Sequence, residues 1–349
     1  MKIVFKPVFF DSLGAKSSCT FIQTSDIRIL IDPGIAIMHS SYPAPLELKR
    51  RWVEEGKSLI KNFARNVDII VITHYHYDHF MHDVEIYRGK KVFIKNPNEY
   101  INDSQRNRAI KFFQYICNIC GYKLEDLMED SVRKDYPDPL KDIPIASGKD
   151  FGEYNNRRRE LLEKGYKWFY KRVEKWIKYR RIPELKTNDI EFYFAENRSF
   201  RFGETVLRFS KPFFHGIEFS RVGWVYSVIV EYRGYKLLYT SDLNGPIIED
   251  YAEWIIKENP DILILDGPMT YMLGYTLNLI NFERTIKNAL NIVKNIRGKT
   301  IIYDHHLPRE PKFRERTKII WETGKRLGKN VMTAAEYLGK TPVIFTINK

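Results

Sequence analysis

Cysteine is scarce in this sequence, which has three among its 349 residues: Cys19, Cys117 and Cys120. Three thiols cannot form the disulfide framework of a small secreted protein, so we expect the chain to fold in a reducing compartment. Cys117 and Cys120 have the spacing of half a zinc site or of a redox motif. Because no second pair accompanies them and the surrounding pattern is apolar and helical, a packing role is favoured.

Long apolar runs are absent as well. No stretch reaches the roughly 18–20 apolar residues that a membrane-spanning helix needs. The segment from Met1 to Pro7 has neither the apolar core nor the cleavage site of a signal peptide. We therefore expect a cytoplasmic protein with no membrane partner. Glutamine is also scarce while lysine, glutamate and isoleucine are abundant, a bias associated with growth at high temperature.

Acidic residues are too few to balance the basic ones. The 57 lysines and arginines exceed the 44 aspartates and glutamates, which gives a formal net charge of +13. Such an excess attracts anions, so nucleic acids and anionic small molecules are the candidate partners. The charge is densest over residues 157–181, where aromatic residues are interleaved. These aromatics suit either stacking on nucleic-acid bases or burial of an apolar helix stripe, and both interpretations stay open.

The spacing of apolar residues predicts strands in both halves of the chain, with a basic, mainly helical segment between them at residues 96–187. The predicted strands are 3–10, 19–23, 27–31, 68–73, 91–94, 190–194, 205–210, 226–232, 235–240, 261–266 and 300–303. The predicted helices outside the basic segment are 45–63, 248–258, 281–296 and 313–327. This order suits an α+β architecture, a four-layer αββα sandwich. We expect a single domain, residues 1–349, with residues 96–187 as a helical insertion.

Four residues with metal-binding side chains follow the predicted strand 68–73: His74, His76, Asp78 and His79. In an extended chain alternate residues share a face, so His74 and His76 can grip one metal ion. Asp78 and His79, at the expected entry to a helix, can turn toward a second ion. Imidazole and carboxylate suit zinc, manganese or iron, and burying so many polar groups is costly unless a metal satisfies them.

The motif His74-x-His76-x-Asp78-His79 resembles the signature of the metallo-β-lactamase superfamily. Four further motifs stand in the order that this resemblance implies, each after a predicted strand: Asp32, His215, Asp242 and the pair His305–His306. The resemblance implies the αββα fold and two divalent metal ions, with zinc preferred. In the family, the carboxylate at the position of Asp32 supports the signature loop without binding metal.

The resemblance also implies a role for each residue. One metal takes His74, His76 and His215. The other takes Asp78, His79 and one histidine of the pair, where we favour His305 because it comes first after the strand. Asp242 bridges both metals. A metal-bridged hydroxide attacks the substrate, with Asp78 or Asp242 moving the proton and Arg309, His306 and Tyr271 steadying the reacting group. The isolated His39 and His82 are expected to have no site role.

The resemblance indicates hydrolysis and leaves the substrate open. The first hypothesis is a phosphodiester or nucleic-acid-like substrate, which the net charge favours. The second is a small-molecule hydrolase for a phosphate ester or lactone, with the helical insertion as a lid. A third, a structural metal centre or a diiron redox protein, is disfavoured by the full ligand set and by the lack of a flavodoxin-like domain. Residues 240–246 and 304–309 are most similar to an archaeal branch of the superfamily with no assigned substrate. The oligomeric state stays open.

Overall fold

Two β-sheets packed face to face form the centre of the computed structural model, which describes residues 3–187 and 189–347. The strands are β1 Val4–Phe10, β2 Ser18–Gln23, β3 Arg28–Ile31, β4 Ile69–Ile72, β5 Lys90–Ile94, β6 Ile190–Phe194, β7 Ser199–Phe202, β8 Thr205–Phe209, β9 Phe213–Phe214, β10 Trp224–Val225, β11 Val228–Tyr232, β12 Tyr235–Tyr239, β13 Ile262–Asp266, β14 Thr300–Asp304 and β15 Asn330–Met332. The helices are α1 Leu46–Ala64, α2 Asp103–Ile119, α3 Leu124–Leu127, α4 Pro144–Gly148, α5 Asn155–Trp176, α6 Glu249–Glu258, α7 Leu279–Asn295, α8 Phe313–Arg316, α9 Lys318–Arg326 and α10 Ala334–Tyr337.

The first sheet has six strands in the order β1-β2-β3-β4-β5-β6. Strands β1 to β3 are antiparallel neighbours, whereas β3 to β6 run parallel. Strand β5 pairs directly with β6, with Lys90 opposite Ile190. Residues 95–189 therefore leave the sheet and return to the neighbouring position.

The second sheet has seven strands in the order β15-β14-β13-β12-β11-β8-β7. Strands β12 to β15 are parallel, so their carboxyl ends share one edge of the sheet. Strands β11 and β12, which match the predicted strands 226–232 and 235–240, form a hairpin whose turn is Arg233-Gly234. Both turn residues have positive φ, 48° and 76°, as a two-residue hairpin turn of this kind requires.

Successive side chains of a strand point alternately into two apolar clusters, one between the sheets and one under the helices. Ile29 and Ile31 of β3 point into the apolar cluster between the sheets, whereas Leu30 points into the cluster under the helices. In β13, Ile264 faces the other sheet and Leu263 faces outward in the same way. Because successive side chains of a strand point to opposite faces, each sheet is covered by the other sheet on one side and by helices on the other. The predicted αββα sandwich is confirmed.

The basic segment between β5 and β6 folds mainly as helices α2 to α5. The long helix α5 buries some of its aromatic residues, although Tyr166 stays exposed. Phe169 and Trp176 are fully buried, and the ring of Trp168 stacks on Trp224 with centroids 5.5 Å apart. At Gly165 any Cβ atom would lie 2.5 Å from the Phe219 side chain, so glycine lets the helix approach closely. The apolar-stripe interpretation thus describes these buried rings. That the segment is an insertion in a single domain stays a prediction.

Some local predictions are wrong. The helix expected to begin at Asp78 and His79 does not form, because the chain there makes a tight turn in which His79 N donates to His76 O at 2.9 Å. The helix predicted over 313–327 is broken at Thr317, whose ψ of 18° is not helical. Strands β7, β9, β10 and β15 were not predicted, because each has only two to four residues, too few for a pattern to be recognised. None of the helices that the structure describes is long and apolar enough to cross a bilayer.

Candidate metal centre

The predicted metal-binding residues meet where strands of both sheets end. His74 follows β4, Asp242 follows β12 and His305 follows β14, while His215 comes directly after the short strand β9. The two sheets are joined at this point by a hydrogen bond between the hydroxyls of Thr73 and Ser241, 2.7 Å apart. The loops after the strands are thereby held together, although the residues are far apart in sequence.

The turn that follows Asp32 supports the loop from His74 to His79. The carboxylate of Asp32 accepts from Thr73 N at 2.7 Å and lies 2.8 Å from His79 Nδ1. Two residues later, a Cβ atom on Gly34 would lie 2.2 Å from Phe80 N, so only glycine allows the turn to pack against this loop. Asp32 therefore contacts the signature loop, which is where the sequence placed a supporting carboxylate.

The ligand-type atoms fall into groups whose members lie within 4.8 Å of one another. The first group is His74, His76, His215 and Asp242. The second is Asp78, His79 and His305, and a third combines Asp242, His305 and His306. The structure thus brings together all the residues predicted to bind metal. Which of them bind it, and how many ions, stays a prediction.

Asp242 lies between the first two groups. Its Oδ2 is 3.1 Å from His215 Nε2 and 3.5 Å from His74 Nε2. Its Oδ1 is 3.3 Å from both His79 Nε2 and His305 Nε2. Each carboxylate oxygen therefore faces a different group of imidazoles, which is the geometry expected of a bridging ligand.

The donor atoms fit a cation because several of them are buried without any hydrogen-bond partner among the described residues. These atoms are His79 Nε2, both ring nitrogens of His215, His305 Nε2 and Asp242 Oδ1. Leaving a polar atom buried and unsatisfied costs about 1–3 kcal/mol. Burial, and next the charge of His79, lowers the pKa of His74 to about 3, so that imidazole is neutral and its lone pair is available to a metal.

The other side of the centre concentrates negative charge. Burial opposes a charge on His79, but Asp242 and Asp32 outweigh it and raise the pKa of His79 to about 10. Burial likewise opposes a charge on His305, and Asp11 with Asp242 raises its pKa well above the usual value. Positive charge is favoured at both imidazoles, and a divalent ion supplies such charge. The residues present therefore fit a metal centre.

Two carboxylates that support the histidines of this centre were not predicted from the sequence. Asp11 Oδ1 lies 3.1 Å from His305 Nδ1, and Asp266 Oδ1 lies 2.8 Å from His306 Nδ1. A carboxylate behind a ligand histidine fixes its ring orientation and strengthens it as a ligand. Both follow or end a strand, β1 for Asp11 and β13 for Asp266. Asp32 and Asp242 also stand at strand ends, but those two were identified by the family resemblance and not by the strand-end position alone.

His305 and His306 have different surroundings. His305 Nε2 lies 3.3 Å from Asp242 and 3.9 Å from Asp78, within the second group. His306 Nε2 is farther from Asp242, at 3.8 Å, and His306 lines the adjoining cavity. Both residues have positive φ, 41° and 42°, so the chain turns sharply and directs the two rings differently. These distances favour His305 as the ligand.

A cavity of about 570 Å³ opens beside the centre. Arg309 and Tyr271, predicted as substrate-binding residues, both line it. Arg309 Nη1 donates to the Tyr271 hydroxyl at 3.2 Å, and its Nε donates to Asp11. The ring of His39 stacks on Tyr271 with centroids 4.8 Å apart, so it lies behind the cavity wall. His82 packs in an aromatic cluster with Phe80 and Phe112 instead.

The fold and this arrangement of ligand-type residues define a member of the metallo-β-lactamase superfamily, and the sequence profile of the Metallo-beta-lactamase superfamily matches residues 14–85. The chain belongs to the UPF0282 family. It is 31% identical over 338 residues to a UPF0282 protein of Korarchaeum cryptofilum, covering 96% of this chain and 89% of that one. It is 33% identical over 342 residues to a UPF0282 protein of Sulfurisphaera tokodaii, covering 96% and 88%.

Among solved structures, the metallo-beta-lactamase fold protein YhfI from Bacillus subtilis is similar, with a TM-score of 0.39 and 13% identity. That likeness covers 91% of this chain and 87% of YhfI. The superfamily consists mostly of metal-dependent hydrolases, and this chain has a candidate metal site to match.

Proposed function

We propose that this chain is a hydrolase with two divalent metal ions, preferably zinc, and that it cleaves an anionic ester of small-molecule size. The observation that supports this most is the set of buried, unpartnered atoms of His79, His215, His305 and Asp242 beside a cavity of about 570 Å³. Small-molecule sites have volumes of roughly 300–1,000 Å³. Imidazole and carboxylate ligands together suit zinc best.

The ligands divide between two ions. His74, His76 and His215 would hold one ion, Asp78, His79 and His305 would hold the other, and Asp242 would contact both. Bound there, the ions supply Lewis-acid chemistry, which activates a water molecule and polarises the bond to be cleaved.

Arg309 is suited to bind the anionic group of the substrate. Its Nε and Nη1 are engaged by Asp11 and Tyr271, which fixes the plane of the guanidinium. Its Nη2 has no hydrogen-bond partner among the described residues and lies 3.7 Å from Asp78 Oδ2. A fixed guanidinium recognises phosphoryl and carboxylate oxygens well.

His306 is suited to exchange a proton with the leaving group. Asp266 engages its Nδ1 at 2.8 Å and so orients the ring, while the ring itself lines the cavity. Nε2 is then the atom available to the substrate. Asp78 and Asp242 are the other groups able to move a proton, as the family resemblance suggests.

The helical segment 96–187 would act as a cap that shapes the cavity. Asn102 and Gln105 of this segment both donate to the Val222 carbonyl at 2.8 Å, and Val222 lines the cavity. Gln105 Oε1 also accepts from Tyr75 N at 3.1 Å, next to the ligands. The segment thus holds a cavity-lining loop and the signature loop together.

A nucleic-acid substrate is the competing proposal, and the basic helix α5 was its main support. The buried positions of Phe169 and Trp176, with Trp168 stacked on Trp224, leave these rings packed against protein and not free to stack on bases. We therefore favour the small substrate.

The test combines metal analysis with a substrate panel. We expect about two zinc ions per chain by elemental mass spectrometry. We also expect the zinc-loaded protein to hydrolyse bis-p-nitrophenyl phosphate in preference to a neutral lactone, RNA or single-stranded DNA. No bound metal after reconstitution would refute the proposal. Efficient cleavage of RNA with little small-ester activity would replace it with the nuclease.

A further inference from the structure

Three cationic side chains line the cavity: Lys16, Arg108 and Arg309. Arg108 donates to the Tyr75 carbonyl, whereas Lys16 and Arg309 each keep a nitrogen without a hydrogen-bond partner among the described residues.

Lys16 lines the cavity and forms no ion pair or side-chain hydrogen bond with any described residue. Burial, and next the charge of Arg309, lowers the pKa of Lys16, while Asp78 and Asp11 oppose that shift. The Lys16 backbone is fixed by paired hydrogen bonds with Ala36, both 2.9 Å. Arg309, only 4% exposed, contributes the unpartnered Nη2. Arg309 is paired with Asp11, so of these two cations only the Arg309 Nη2 and the ammonium group of the half-buried Lys16 have hydrogen-bonding capacity left, and an anion bound near both would use it.

Away from these cations and the metal-ligand residues, much of the cavity lining is apolar. This apolar lining comes from Ile217 and Val222, which belong to the loop held by the helical segment, and from the stretch after β13. From that stretch Met269, Met272 and Leu277 line the cavity. Methionine adapts to irregular apolar groups, and such surfaces suit a flexible or aromatic ligand. Ile217 and Val222 remain 36% and 42% exposed, so an apolar group lying on them would remove exposed apolar surface from water.

We propose that the substrate is an amphipathic anion: its phosphate or carboxylate binds between Lys16 and Arg309, and an alkyl or aryl group lies on the wall of Ile217, Val222, Met269, Met272 and Leu277. Lys16 and Met272 are then specificity-determining residues, the first for charge and the second for the apolar group. The proposal rests on the proposed function in that it places this substrate in the same cavity.

Binding of non-hydrolysable anions tests the proposal without relying on catalysis. Methylphosphonate and hexylphosphonate, with acetate and heptanoate as carboxylate counterparts, are titrated calorimetrically into the zinc-loaded protein. We expect hexylphosphonate to bind at least about tenfold more tightly than methylphosphonate, because each buried methylene group contributes favourably. The carboxylate pair shows which anion the site prefers.

Two substitutions separate the two halves of the site. Lys16→Met keeps a long side chain and removes the charge, so it should weaken all four ligands about tenfold. Lys171→Met, at an exposed lysine of α5, is the matched control and should leave binding unchanged. Met272→Gln should weaken hexylphosphonate and leave methylphosphonate unchanged. Thermal unfolding checks that each variant is folded, and Lys16→Gln and Val222→Asn replace a variant that is not.

The outcomes distinguish this inference from the proposed function. Equal affinity for the methyl and hexyl ligands, or equal behaviour of Lys16→Met and Lys171→Met, would overturn it even if the protein is an active hydrolase. The expected pattern in a protein that hydrolyses no ester would support the binding site while refuting the hydrolase. If RNA displaces hexylphosphonate and binds more tightly, the cavity belongs to a polymer site and the inference fails.

Discussion

The loop from His215 to Glu218 connects two clusters of buried charge, the metal-ligand cluster and an ion-pair cluster around Arg284. They differ in whether their polar atoms have partners. In the metal-ligand cluster, ring nitrogens and a carboxylate oxygen are buried without a hydrogen-bond partner in the part of the chain that the structure describes. In the ion-pair cluster, Arg284 Nη2 lies 2.7 Å from both Glu218 and Glu249, while Arg158 and Lys149 supply the second cations at 3.2 Å and 2.6 Å. Every charged group in that second cluster has a partner.

The difference shows that burial of charge alone does not identify a functional site. Both clusters contain acids and bases brought together from distant parts of the chain. The ion-pair cluster around Arg284, in which every charge has a partner, stabilises the contact between the helical segment and the rest of the protein. An unsatisfied cluster requires a ligand, because its desolvated atoms are otherwise uncompensated.

The largest effect is expected from Asp242→Ala. This substitution removes the one carboxylate that faces both groups of imidazoles, so both metal ions and all hydrolytic activity should be lost. Elemental mass spectrometry and hydrolysis of the best small ester measure this. Asp126→Asn, at an exposed aspartate of α3, is the control. Unchanged metal content in Asp242→Ala would show that Asp242 does not bridge.

Substitutions at the adjacent residues His305 and His306 test which of the two binds metal in the metal-ligand cluster. His305→Ala should lose the ion shared with Asp78 and His79. His306→Ala should keep both ions and lower kcat, because His306 lies farther from Asp242 and is held by Asp266. Metal content and steady-state kinetics are measured on both variants. Metal loss in His306→Ala alone would exchange the two assignments.

Breaking the ion-pair cluster should lower the stability of the fold without releasing the metal. Arg284→Met leaves Glu218 and Glu249 with one cation each, and breaking a buried ion pair costs about 3–5 kcal/mol. We expect the free energy of unfolding to fall by roughly this amount in denaturant titrations. The metal content should remain that of the wild type. Arg326→Met, at an exposed arginine, is the control, and an equal effect of both would show that the cluster contributes nothing.

A smaller effect is expected from the carboxylate behind His305. Asp11→Asn keeps the shape of the side chain and weakens its hold on both His305 and Arg309. Loss of such a supporting group typically lowers metal affinity about 10–100-fold. Competition with a zinc chelator measures the change. Wild-type affinity would mean that Asp11 serves only to pair with Arg309.

The smallest effect concerns the surface of α5. Arg157, Arg159, Lys164 and Lys167 are exposed, whereas Arg158 belongs to the ion-pair cluster and is left unchanged. Replacing the four with glutamine should weaken binding to RNA in a salt-dependent manner. Cleavage of small esters should not change. A large fall in small-ester activity would mean that this surface takes part in substrate binding.

The positions of residues at strand ends explain how much of the fold and of the metal centre could be predicted from the sequence. Most predicted ligands follow a strand whose apolar pattern is clear, so the layers could be predicted from that pattern and the ligands from the family resemblance. His215 is the exception, because it follows the two-residue strand β9, which was not predicted. Asp11 and Asp266 were missed because an aspartate at a strand end is common and becomes informative only when its histidine partner is known. The turn at His79 could not be predicted, because it depends on the close approach of Gly34 from a different part of the chain.

The direct pairing of β5 with β6 has a consequence for how the protein acquires its structure. The first sheet cannot be completed until the segment 95–189 has been synthesised and its ends brought together, and His215, Asp242 and His305 all come later in the chain. Closing so long a connection between parallel strands is slow compared with forming local helices and hairpins. During synthesis the signature histidines are therefore made well before their partners, and the exposed edge of β5 must wait for a strand that emerges much later.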